Sequence, residues 1–141
     1  MLVLEPQQLE TIERHMFLAL QKRLQRAIAA TFPELNGAGA ATGEPNGRVS
    51  AVVARGIESA ERYGIEERAD LAAFIALGLA WRTLPRETPT DWIKEWLERP
   101  DTPGDTKLAV IEAQLAAVSG NPALAFVNQR VAQARREAEA P

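Results

Sequence analysis

Apolar residues recur at three- and four-residue steps from residue 6 to about residue 31, at Leu9, Ile12, Met16, Leu20, Leu24, Ala27 and Ile28. That spacing lines one face of an α-helix. Pro6 suits the first turn, where a missing N–H deprives no carbonyl of a partner. The stripe therefore predicts a long amphipathic helix with its apolar face on a core. Phe17 lies at the edge of the stripe and Leu18 on the far side, so part of this helix is apolar outside its core face.

The rhythm stops over 33–47, where Gly37, Gly39, Gly43, Pro45 and Gly47 fall among residues with little to bury, the composition of a flexible loop. It resumes at about residue 48. Val49, Val52, Val53, Gly56, Ile57, Ala60 and Tyr63 share one side of a second helix; Gly56 within that stripe would let another helix approach closely, and Gly64 can end the helix in the left-handed conformation. A third helix, from about 67 to 81, has a wide apolar face of Leu71, Phe74, Ile75, Gly78 and Leu79 and is expected to be the most buried. Pro85 and Pro89 mark a loop, and 91–99 gathers Trp92, Ile93, Trp96 and Leu97 before Pro100. Thr102-Pro103-Gly104-Asp105 suggests a helix start with Thr102 as the cap and Pro103 at the first position. The fifth helix then carries Leu108, Ile111, Leu115 and Val118. Gly120 closes it and Asn121-Pro122 opens a sixth with Leu124, Val127 and Val131, before a charged, alanine-rich stretch over 132–141 that reads as a frayed tail. Only Leu2-Val3-Leu4 is short, branched and apolar enough to lie extended against a neighbour. The expectation is an all-α, single-domain bundle of about five or six helices with a long N-terminal amphipathic helix.

A chain of 141 residues is long enough for one cohesive core. It has no cysteine, which excludes disulfides, thiolate metal sites and a cysteine nucleophile and fits a reducing compartment. The N-terminus lacks the basic stretch, apolar run and cleavage site of a secretory signal, and no later run approaches the ~20 apolar residues of a membrane span. A cytoplasmic protein without membrane insertion is expected. Sixteen basic and nineteen acidic residues leave a net charge of −3, with both signs in both halves, so no strong field draws the chain to nucleic acid.

Candidate chemistry is sparse. His15 is the one histidine and has neither an orienting partner nor a nucleophile at a useful spacing. Glu10 with Arg14, and Glu58 with Arg62, have the spacing of surface pairs one helical turn apart. The glycines of 37–47 form no phosphate-binding pattern, with no lysine at the required place, and Ser50, Ser59 and Ser119 lack the elbow that exposes a hydrolase serine. No catalytic, cofactor or metal residues are expected, and the chain is not expected to be an enzyme.

Two features point to a protein partner instead. Arg48, Arg55 and Arg62 recur every seven residues along the second helix, and such a row of guanidinium groups either forms a solvated, salt-bridged face or grips carboxylates of an acidic protein. Trp81, Trp92 and Trp96 gather within sixteen residues of a chain with few aromatics. They suit either core anchors for a short helix or a binding patch. The candidate partner-binding residues are Phe17, Leu18, Arg48, Arg55, Arg62, Trp92 and Trp96.

The opening Met1-Leu2-Val3-Leu4 with Gln8-Leu9, then Phe32-Pro33-Glu34 closing a long helix, resembles small helical accessory proteins encoded beside type VI secretion spike and effector genes. The run Arg55-Gly56-Ile57-Glu58-Ser59-Ala60-Glu61-Arg62-Tyr63-Gly64-Ile65, then Asp70-Leu71-Ala72-Ala73-Phe74-Ile75-Ala76-Leu77, looks like the middle helices of that group, as do Trp92-Ile93, Leu97 and Thr106-Lys107-Leu108. The glycine-rich loop and the long C-terminal helix depart from the group's pattern. The resemblance implies a non-enzymatic adaptor or chaperone that binds a secretion effector or spike component, with an immunity protein that neutralises a cognate toxin as the alternative. It brings no catalytic residues with it.

Overall fold

In a computed structural model that describes residues 5–35, 47–88, 90–118 and 120–140, the first apolar rhythm forms α1, Pro6–Thr31. The Glu5 backbone N–H donates to Gln8 Oε1 at 3.1 Å, so one of the amides orphaned at the helix start is satisfied before any tertiary contact is made. The other end is held by a different helix. Arg130 of α6, Pro122–Glu139, donates to the Thr31 carbonyl, and its guanidinium lies 5.0 Å from the Phe32 ring and 4.9 Å from that of Phe126. A cation there satisfies terminal carbonyls and meets the negative end of the helix dipole.

Between these lie α2 (Gly47–Glu61), α3 (Arg68–Trp81), α4 (Asp91–Leu97) and α5 (Gly104–Ala117). All six elements among the described residues are helices, so the expected all-α bundle with a long first helix is the fold. At the centre is α3, which touches α1, α2, α5 and α6. Leu71, Ala72, Ala73, Ile75, Ala76, Leu77 and Ala80 are all buried. Alanine on so many sides lets several helix axes crowd one rod, and Ala134 and Ala138 of α6 are likewise fully buried. The wide face expected of α3 is displaced: Phe74 and Leu79 are half-buried and Gly78 is exposed. These three turn towards α2 while the alanines take the centre.

Glycines appear where backbones meet. A Cβ on Gly56 would lie 2.4 Å from Ile75 Cγ1, so the close approach of α2 to α3 requires its absence. Gly64 has φ +73° and turns the chain after α2. It abuts Gly104, where a Cβ would meet the carbonyl oxygens of Tyr63 and Gly64 at 2.5 Å. This contact corrects the expected start of α5: Pro103, not Thr102, is the N-cap, no side chain caps it, and the helix begins where only glycine fits. Asn121 does cap α6, its Oδ1 accepting from the N–H groups of Ala123 and Leu124 at 3.0 and 3.3 Å.

Two further expectations change. Val118 is exposed while Leu108, Ile111 and Leu115 are fully buried, because α5 ends at Ala117 and Val118, the cap residue, has already left the helical path. The stretch over 132–139, expected to fray, continues α6 and is pinned by charge. Arg135 bonds Asp70 of α3 at 2.8 Å and both oxygens of Glu112 of α5 at 2.9 and 2.6 Å. Burial opposes the Arg135 charge, but the two carboxylates prevail and raise its pKa above the ordinary value. The stability this contributes is complete below the unfolded pKa and lost only as pH climbs through the raised one, in strong alkali. The bulk of the loop expected at 33–47, and Leu2-Val3-Leu4, lie outside the described residues; 33–35 form one 3₁₀ turn and Gly47 opens α2.

Candidate functional site

The stripe on α1 does not stay on the core. Leu24, Ala27 and Ile28 are buried and Leu20 packs against them, yet residues 5–19 are exposed throughout. The cause is a mismatch of lengths: α1 has 26 residues, about 39 Å, against 14 residues, about 21 Å, for the central α3. The helices around α1 run out before it does. Leu9, Ile12 and Met16, expected in the core, are 47%, 42% and 68% exposed, and Phe17 and Leu18 are 46% and 45% exposed. Phe17 and Leu18 thus stand where the sequence placed them, outside the core, joined by three residues that the periodicity alone assigned inward. Leu9, Ile12 and Met16 share one exposed face with Phe17 at its edge, while Leu18 lies on the opposite side of the helix; a group of large apolar side chains left on one face in this way is the usual mark of a contact surface.

The arginine row is exposed but divided by its surroundings. Arg48 lies in the first turn of α2, Arg55 lines a groove between α2 and α3, and Arg62 lines a separate hollow beside Tyr63 and Lys107. At the groove Arg55 is joined by Arg82, which the sequence did not single out because it follows α3 by one residue and is distant in the chain. Lys107 is buried, donating to the Leu97 carbonyl at 2.8 Å and so closing the end of α4.

Trp92 and Trp96 flank Ile93 and Leu97, the two buried residues of α4, and with Trp81 they are half-buried against the core. The Arg99 guanidinium stacks 3.8 Å from the centre of the Trp96 ring. The rings therefore anchor the short helix while leaving part of their surface in solvent.

His15 is exposed on the projecting half of α1. Among the described residues, no three histidines or carboxylates gather closely enough to hold a metal, and no helix is long and apolar enough to cross a membrane. Of the large apolar side chains exposed among the described residues, all but Val118 lie on the projecting half of α1. Neither a family model, nor a curated protein, nor a solved structure matches the chain.

Proposed function

We propose that the chain is a non-enzymatic adaptor or chaperone that binds a type VI secretion effector or spike component, and that the partner docks on the projecting half of α1. One observation carries the docking assignment: Leu9, Ile12, Met16, Phe17 and Leu18 stay exposed on a helix whose other half is firmly packed. An amphipathic helix laid into an apolar groove of a partner is a common recognition mode, read through anchors at three- and four-residue steps. Leu9, Ile12 and Met16 have that spacing. The nature of the partner is drawn from the resemblance in sequence described above.

The test is co-expression with the effector or spike component encoded beside this chain, followed by size-exclusion chromatography of the parent and of the double variant Ile12→Ser/Met16→Ser. Co-elution is expected for the parent and its loss for the variant, with the helical circular dichroism of the variant alone unchanged. No co-elution of the parent with any neighbour contradicts the proposal. Protection of cells from the cognate toxin, while secretion proceeds without this chain, would assign it to immunity instead.

A further inference from the structure

Gly78 sits in the third turn of α3, exposed, with nothing among the described residues within 4 Å of where its Cβ would be. Glycine inside an exposed helix is destabilising relative to alanine, and no neighbour among the described residues accounts for it here. Across from it, Gly56 draws α2 against Ile75. Together they leave an open groove whose floor is formed by Val52, Phe74, Ile75 and Leu79. Its volume, about 180 Å³, is below the usual range for a cofactor or substrate pocket and suits one or two aliphatic side chains.

Arg55 of α2 and Arg82, just past α3, line the same groove. Among the described residues neither forms an ion pair. Their guanidinium groups give one apolar groove a cationic rim. A carboxylate brought beside that rim can form charge-assisted hydrogen bonds with it.

We propose that the α2–α3 groove is a second docking site, distinct from the α1 rod, which takes an apolar anchor of a partner protein segment flanked by acidic residues. The apolar side chain fills the hollow over Ile75 and Leu79, Gly78 allows the segment's backbone to come close, and Arg55 and Arg82 bind its carboxylates. The site shares no residue with the projecting half of α1, so it stands or falls independently of the function proposed above, and its presence would give an adaptor two separate surfaces.

The experiment uses the full chain and two labelled helical peptides of about eighteen residues, each with leucines at three- and four-residue steps, one with glutamates flanking the leucines and the other with lysines in their place. Fluorescence anisotropy is expected to show at least about tenfold tighter binding of the glutamate peptide, weakened by added salt. Gly78→Leu, whose side chain enters open space and fills the groove mouth, is expected to weaken that binding at least about tenfold without lowering the melting temperature. Arg55→Gln/Arg82→Gln is expected to abolish the preference between peptides. Equal affinity for both peptides, no binding of the glutamate peptide, undiminished binding by Gly78→Leu, or tighter binding of a single-stranded oligonucleotide would each overturn the proposal.

Discussion

The two halves of α1 share one apolar rhythm and meet opposite fates. Leu24 and Ile28 are fully buried, and the carbonyls of the turn beyond them are held by Arg130 and Gln133 of α6. Leu9, Ile12 and Met16 continue the same stripe past the end of the bundle and into solvent. The chemistry of the residues is alike; the difference is whether a neighbouring helix is long enough to reach them. Periodicity therefore identifies a face that wants a partner, while the lengths of the other helices decide whether that partner comes from the same chain.

The strongest way to break this comparison is to truncate one residue in each half. Leu24→Ala should destabilise the fold by about 2–5 kcal/mol, because it removes fully buried methyl groups and leaves a cavity. Met16→Ala should change stability by no more than about 0.5 kcal/mol. Urea denaturation midpoints of the two variants measure the contrast directly, and similar losses would mean that the halves are not different.

A second, smaller effect concerns the side of the molecule that closes upon itself. Arg135→Met should destabilise by about 2–3 kcal/mol, since it strands the buried Asp70 carboxylate and unties α6 from α3 and α5. The pair is partly solvated, which keeps the loss below that of a fully buried pair. Thermal unfolding followed by circular dichroism reads it. A loss near zero would show that residues beyond 131 contribute little, as the sequence alone suggested.

The smallest effect has the opposite sign. Gly78→Ala should stabilise the protein by up to about 1 kcal/mol, for it improves helix propensity and meets no neighbour among the described residues. The same change at Gly56 should destabilise it by about 1–3 kcal/mol, because the new methyl group collides with Ile75. Paired denaturation curves distinguish a glycine required by the fold from one that the fold leaves unexplained.

Much of the architecture was legible locally. The spacing of Val49, Val53, Ile57 and Ala60 marked the buried face of α2, Gly64 its left-handed exit, and Asn121-Pro122 the start of α6. The displacement of the α3 face was not, because alanine satisfies both a core and a surface and so gives periodicity little contrast. Arg135 looked like part of a solvated tail, since its carboxylate partners lie 65 and 23 residues away in sequence. Of the site, Phe17 and Leu18 were legible as apolar residues off the core stripe. Leu9, Ile12 and Met16 were not, because their exposure depends on where α3 and α6 end. Arg82 was missed for the same kind of reason: only the fold brings it beside Arg55.

The most direct measurement is amide hydrogen exchange along the chain, alone and in complex with the protein that co-elutes with it in the co-expression test of the proposed function. Alone, amides of residues 9–19 should exchange much faster than those of residues 24–31, and in the complex the gain in protection should concentrate over 9–19. Equal protection of both halves in the isolated chain, or a complex that leaves 9–19 unchanged, would contradict the account.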